Sequence, residues 1–483
     1  MAASTATSMG GDACPNSSEK TCILWQNEDH TVTLLDVPCS IELAQQFEHG
    51  GERKLWSSSP LEQPYPSLEP KSEKALTALK SQKAIEALKN PDTDINDLIL
   101  HRVLALALEE AEEAIGDNGD SPQAWCLPRS CYDEKQSSLQ DDWPEKRHHI
   151  KHKAGEASNI ASSPPPPSSV PSYQYGNSQG GVTDSLPLSP FPLFQNTMGR
   201  TVTISLPGSN IPAIFPVNST HIPGEIIFTL PIFIQKAPRF PLIILDPPWP
   251  NRSARRAGHY HIAYGLSEIG TLLSGIPIRS KLEKNGLVGV WITNKEIFRG
   301  LLLGKDGERG LFGEWGIELV EEWVWLKITG NGEPMSPIDG TWRKPFEILL
   351  VGRRIPREEI NIDPCEVGSK TEFGEVSDER KGREQVGKSG EQPVVQPTPV
   401  KRRVIIAVPD MHSRKPNLMA LFAPLLPSSL VPPHCLEIFA RNLTAHSWAW
   451  GNEVLEFQRL EHWTECADTS KEAGNIEKHV APV

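Results

Sequence analysis

Several protein classes are excluded by what this sequence lacks. No apolar run approaches the roughly 20 residues needed to span a bilayer, and the opening stretch MAASTATSMGGDACPNSS has neither the basic nor the apolar part of a secretory signal. The eight cysteines (Cys14, Cys22, Cys39, Cys126, Cys131, Cys365, Cys435 and Cys466) form no CxxC pair, and no Cys/His spacing suits zinc. The expectation is reduced thiols in a soluble protein of the nucleus or cytosol, with no membrane and no metal. Nor is there an excess of positive charge. With 48 Lys and Arg against 61 Asp and Glu, the net charge is -13, which excludes a uniformly basic nucleic-acid coat but leaves room for a local basic groove. Hydrophobic residues reach only 38%, beside 44 prolines and 36 glycines, so much of the 483-residue chain is expected to be irregular.

Patterning divides the chain. Residues 1–71 hold one short apolar run, TVTLLDVPCSIEL, read as weak strands. Over 72–115 the spacing turns helical: Leu76, Leu79, Ile85 and Leu88 precede the break at Pro91, and Asp94 is placed to cap a second helix carrying Ile95, Leu98, Ile99, Val103 and Leu106. This predicts a helical pair with packed apolar faces. Residues 116–196 form a Pro/Ser-rich linker containing SSPPPPSS and the basic run EKRHHIKHK, either an import or nucleic-acid signal or simply solvated charge. Residues 197–240 are read as a β-rich lead-in, with TVTISL and EIIFTLPIFI both taken as extended.

From 241 to 466 strands alternate with helices or loops: PLIIL, LVGVWIT, IELVEEWVWLKIT, KPFEILLVG, RRVIIAVP and CLEIF are strands, while NKEIFRGLLLG and NLMALFAPLL are helical. That order predicts an α/β fold with a mostly parallel sheet covered on both faces. Residues 355–400, charged and without apolar periodicity, are read as a disordered insertion, and 467–483 as a flexible tail.

The chemistry concentrates in LIILDPPWPN, Leu242 to Asn251. A buried parallel strand ending at Asp246 delivers its carboxylate to the sheet edge where ligands of open α/β folds bind. Pro247 and Pro248 fix φ and remove two backbone donors, so their carbonyls are held as acceptors in set directions, and Trp249 adds an aromatic face. A carboxylate, a rigid carbonyl and an aromatic face suit a flat ring bearing an NH2 group, such as adenine. Its nitrogen lone pair is delocalised, so two acceptors on its hydrogens would help it to attack an electrophile. Asn251, Arg252, Arg255 and Arg256 follow directly. With Lys327 and Lys344 they are candidates for contacts to a polynucleotide backbone, solvated loop charge being the alternative.

In this setting LDPPW resembles the signature of the eukaryotic adenine-N6 methyltransferases of the MT-A70 type, in the branch of methyltransferase-like protein 4. VGVWITNKE, EEWVWLKIT, KPFEILLVGRR, VPDMHSRKPNL, CLEIFARNL and WGNEVLEFQ follow in that family's order, so the resemblance runs from Leu242 to Phe457. It implies a Rossmann-like domain with a permuted motif order that uses S-adenosylmethionine. Asp246, Pro247, Pro248 and Trp249 would hold the target amine, and His412, Ser413, Lys415, Arg441, Asn452 and Glu453 would line the cofactor pocket. A glycine-rich GxGxxG is missing, as the family tolerates. Branch likeness further implies RNA as substrate, small nuclear RNA with a 2′-O-methylated adenosine; the expected enzyme is nuclear, with the cytosol as the alternative, and active as a monomer, with a protein partner as the alternative. DNA adenine methylation is the alternative, and a catalytically silent scaffold of the same fold is the reading from a different class. The intact DPPW stands against the scaffold, and its Asp and Trp stand against an NPPY-type protein-amide methyltransferase.

Overall fold

A computed structural model describes residues 20–48, 52–66, 95–116, 124–131, 175–176, 193–205, 212–250, 265–305, 307–340, 343–355, 400–411, 414–427 and 434–464. The first expected helix, the basic run EKRHHIKHK, the tail and nearly all of the 355–400 insertion lie outside them.

One sheet organises the described chain. Its strands are β1 (Ile23–Gln26), β2 (Val32–Leu35), β3 (Phe194–Gln195), β4 (Thr220–Pro223), β5 (Phe240–Leu245) and β6 (Leu282–Ile292), then β7 (Ile317–Lys327), β8 (Phe346–Arg354), β9 (Lys401–Ala407), β10 (Cys435–Ile438) and β11 (Trp448–Gly451). They lie in the order β1-β2-β9-β7-β8-β6-β5-β10-β11-β4-β3. β5 is central, parallel to β6 through Leu242↔Leu287 to Leu245↔Val290 and to β10 through Leu242↔Cys435 to Leu245↔Ile438. The expected α/β class holds. β8 runs antiparallel to both its neighbours, and the outer pairs β1–β2 and β3–β4 are also antiparallel, so the sheet is mixed with a parallel centre.

Period-two alternation divides the strand side chains between two cores. Ile243 and Leu245 of β5 face one side with Val288, Val290, Val324 and Leu326, whereas Leu242 faces the other with Leu287, Trp323, Trp325 and Leu349. The first side is covered by α2 (Ile95–Gly116), α3 (Ile226–Lys236), α4 (Leu266–Ser274) and, farther along, α6 (Glu296–Leu303) and α7 (Leu311–Trp315), with the short α5 (Ile278–Lys281) leading into β6. The second is covered by α1 (Val37–Gln45) and α8 (Met419–Phe422), where Phe422 stacks on Trp323 at 4.3 Å.

Three local readings change. TVTLL is a strand, but DVPCSIEL turns helical because Asp36 caps α1 by accepting the Cys39 N–H at 2.8 Å and Pro38 is tolerated in the first turn. EIIFTLPIFI is α3 and not a strand. Packing overrides its β-branched composition: Phe233 stacks on Trp450 at 4.1 Å, and the Trp450 indole donates to Thr229 Oγ1 at 2.7 Å. In α2 the buried stripe is Leu100, Leu104, Ala107, Ala111 and Ile115, while Ile95, Leu98, Ile99 and Leu106 are exposed. Of the expected face only Val103 packs on the core; the contact with β2 and β9 is made along the stripe in which Ala107 and Ala111 allow close approach.

Asp36 is buried and also accepts the Leu127 N–H at 2.9 Å, so one carboxylate joins the N-terminal helix to a segment ninety residues on. Asp36→Ala should lower unfolding free energy by about 2 kcal/mol, from the lost cap and the orphaned amide. Urea unfolding measures it, and a change within experimental error would contradict the assigned role.

Candidate active site

β5 ends where its ladder does. The Asp246 N–H still donates to Ile438 O at 3.2 Å, but the next two residues have no donor, and the chain turns away with the Trp249 N–H on Pro247 O at 2.7 Å. The Trp249 indole donates to Trp291 O at 2.7 Å, and its ring stacks on Phe298 of α6 at 4.6 Å. At 5% exposure Trp249 offers no open plate. This corrects the reading of it as a free aromatic face: the ring pins the turn that aims Asp246. One lone pair of the Pro247 carbonyl is spent on Trp249, leaving one for a ligand.

Asp246 does not stand alone. Lys415 Nζ lies 3.3 Å from Asp246 Oδ2 and 2.9 Å from Glu347 Oε2, and Lys327 bonds the other oxygen of Glu347. The line Asp246–Lys415–Glu347–Lys327 alternates in sign across the ends of β5, β8 and β7. Burial disfavours charge on Lys415, but the two carboxylates outweigh it and hold the ammonium protonated well above the usual lysine range. Burial likewise opposes ionisation of Glu347, and Lys415 with Lys327 outweighs it, holding that carboxyl at about 2. Lys415 therefore serves as a fixed cation and not as a base. It also lies 5.5 Å from the centroid of the buried Trp291 ring.

Beside this line opens a cleft of about 620 Å³, open mouth included. Asp246, Lys415, Glu437 and Arg441 supply charge of both signs, and Ile244, Leu418, Met419, Ile438 and Phe439 supply apolar wall. Phe439 is held at φ 62, in the left-handed region a bulky residue seldom enters, with its N–H on Trp450 O at 2.8 Å. Gly451 follows at φ 150, a backbone conformation that residues with a side chain rarely adopt. Glu437 accepts from Thr444 Oγ1 at 3.1 Å, and Thr444 accepts from Asn417 Nδ2 at 3.0 Å. Burial pushes Glu437 up to about 7; the Thr444 hydrogen bond opposes this and the nearby Asp246 charge adds to it.

Of the site residues expected from sequence, Asp246, Lys415 and Arg441 line the cleft. Glu453 joins it through an ion pair with Arg441 at 3.1 Å, whereas Asn452 is exposed on the turn after β11. Two proposed polynucleotide contacts are engaged elsewhere: Lys327 belongs to the charge line, and Lys344 pairs with Asp97 of α2 at 3.0 Å. Asn251, Arg252, Arg255, Arg256, His412 and Ser413 lie outside the described residues. Sequence reasoning missed Glu347 and Glu437, although each is a lone acid inside an apolar strand, FEILLV and CLEIF, where an ionisable group has to have a reason. Among the described residues no group of His, Cys, Asp or Glu could hold a metal ion, and no helix is long and apolar enough to cross a membrane.

Residues 240–371, from the start of β5 to beyond β8, match the model of the MT-A70 family. That stretch of the chain is similar to an MT-A70 domain. It is 43% identical over 261 residues to the N6-methyladenosine RNA methyltransferase MTA1 of Pyricularia oryzae, covering 54% of this chain and 59% of that protein. It is 30% identical over 271 residues to the human N(6)-adenine-specific methyltransferase METTL4, covering 56% and 48%. A DNA N6-methyl methyltransferase of Caenorhabditis elegans matches at 33% over 117 residues, 24% of this chain and 28% of that one. The chain thus spans between about half and three fifths of the first two relatives. The MT-A70 match takes in Asp246 and Glu347 but stops before Lys415, Glu437 and Arg441, which the sheet brings back beside Asp246.

Because the Glu437 pKa is raised on folding, its contribution to stability is fully present below the unfolded value near 4.5 and is lost as pH rises through about 7. Glu437→Gln should therefore gain stability relative to the native protein between pH 5 and pH 8. Denaturant unfolding at both pH values reads it, and an unchanged difference would contradict the assignment.

Proposed function

We propose that the protein transfers the methyl group of S-adenosylmethionine to N6 of adenine in a nucleic acid. The observation that carries this is Asp246, set at the end of a buried strand by two prolines and held by Lys415, on the rim of a cleft with charge of both signs. The MT-A70 match and the three relatives, all named for N6 methylation, support the same reaction.

The cleft fits the cofactor on its donor set. Lys415 and Arg441 suit a carboxylate, Asp246 and Glu437 suit cationic groups, and Phe439, Leu418 and Met419 suit a flat apolar ring. When bound, S-adenosylmethionine supplies an electrophilic methyl group on a sulfonium. The chain's part is positioning. Asp246 and the second lone pair of Pro247 O accept the two amino hydrogens, which turns the nitrogen lone pair out of the ring. Lys415 occupies Asp246 Oδ2, so Oδ1 faces the amine and would accept the proton that N6 loses when the methyl group passes from sulfur to nitrogen. A protonated Lys415 holds Asp246 in orientation without taking the proton itself.

RNA is the substrate class the comparisons favour, since the relative that matches at 43% is named for RNA, whereas the one named for DNA aligns over only 117 residues. Resemblance to the methyltransferase-like protein 4 branch supports small nuclear RNA, with a 2′-O-methylated adenosine, as that RNA. Residence in the nucleus follows from such a substrate, and the monomer is the proposed active form.

Asp246→Asn keeps the volume and removes the charge. It should lower kcat by about 10²- to 10³-fold while the dissociation constant for S-adenosylhomocysteine, measured by calorimetry, changes little. Undiminished turnover of an adenine-containing oligonucleotide would overturn the assignment.

A further inference from the structure

The segments preceding β5 do more than cover the sheet. Lys415 sits on the loop after β9, with no regular element to hold it, yet it meets two carboxylates at 3.3 and 2.9 Å. Its neighbours on both sides are tied to the N-terminal segments. On one side Arg414 pairs with Asp410, their side chains 1% and 0% exposed, and donates to Trp56 O at 2.9 Å. Asp410 in turn accepts the Ser58 N–H at 2.8 Å. Arg129 closes this knot, donating to Val408 O at 2.8 Å, Pro409 O at 2.9 Å and Ser58 O at 3.1 Å. One guanidinium thus satisfies carbonyls that the end of β9 leaves without ladder partners. On the other side Ser40 Oγ of α1 accepts the Asn417 N–H at 3.0 Å. Asn417 starts the Thr444–Glu437 chain into the cleft wall, and Pro416 stiffens the link between it and Lys415.

We propose that Arg129 and Ser40 are positioning residues for Lys415: a two-point clamp, built from segments outside the MT-A70 match, fixes the loop on either side of the active-site cation. The functional part of the proposal rests on the methyltransferase reading, and the geometric part does not. Lys415 has to meet Asp246 and Glu347 together, so a loop displaced by about 1 Å would forfeit one of them, a misplacement that costs about a hundredfold in rate where positioning carries the reaction.

The test uses the full chain. Arg129→Met, Arg129→Lys and Ser40→Ala are labelled with acetic anhydride, and acetylation of Lys415 is followed by peptide mass spectrometry. Lys281, held by the carbonyls of Ile234 and Ala237, serves as the internal control. In Arg129→Met and Ser40→Ala, Lys415 acetylation should rise several-fold with Lys281 unchanged. Their kcat on an adenine-containing RNA oligonucleotide should fall about tenfold to a hundredfold with little change in KM, and Arg129→Lys should recover part of both. Ser40→Ala removes one buried hydroxyl and keeps the test decisive should Arg129→Met fail to fold. Unchanged Lys415 labelling, or an equal rise at Lys281, overturns the clamp. If Lys415 labelling rises as expected while the native protein methylates no adenine, the clamp stands and the methyltransferase reading falls.

Discussion

The site depends on one cation shared between two acids. Lys415 bridges Asp246, which ends the central strand, and Glu347, which opens the one strand antiparallel to both of its neighbours in the middle of the sheet. Each side chain is about a quarter exposed, so the charges are neither fully hydrated nor sealed away. Removing one partner from a fully buried pair costs about 3–5 kcal/mol; solvent access lowers that figure here. The benefit of the arrangement is orientation. With Lys327 on the far oxygen of Glu347, that carboxylate is held by a cation at each end, whereas Asp246 is held at Oδ2 and keeps Oδ1 for the cleft.

The fold makes this possible because strand ends from distant parts of the sequence converge at one edge. Parallel β5, β6, β7, β9 and β10 finish there, and β8 starts there. The two cores on opposite faces fix the register: a one-residue slip of β5 would exchange Leu242 with Ile243 and turn Asp246 away. Tryptophans hold the rim. Trp249 bonds the Trp291 carbonyl, Trp291 lies under Lys415, and Trp325 packs edge-on against Trp291 at 6.2 Å. The aromatic residues therefore act mainly as rigid walls behind the polar atoms.

Much of this was legible in the sequence. Short apolar runs such as PLIIL and VIIA read as strands buried on both faces, and DPPW at the end of one announces a carboxylate on a stiff turn. The errors came where tertiary contacts outvote local preference: EIIFTLPIFI is rich in β-branched residues, yet Trp450 recruits it as a helix, and the alanine-lined side of α2 was the buried one. Lys327 and Lys344 looked like free cations because a sequence does not display their acidic partners, Glu347 and Asp97, the latter 247 positions away from Lys344. Glu347 and Glu437 were visible as acids in apolar strands, but their meaning appears only once the sheet sets them beside Lys415 and Asp246. The tie between α1 and the loop at Asn417 spans 377 positions, and no local pattern reports such a contact.

The proposed work of Asp246 and Lys415 is to direct methylation of an exocyclic amine. The most direct measurement incubates the purified protein with isotopically labelled S-adenosylmethionine and matched RNA and DNA oligonucleotides, then identifies the labelled nucleoside by mass spectrometry. Label is expected in N6-methyladenosine or its 2′-O-methyl form from RNA. Label on any other base or atom, or no transfer to either nucleic acid, would contradict it.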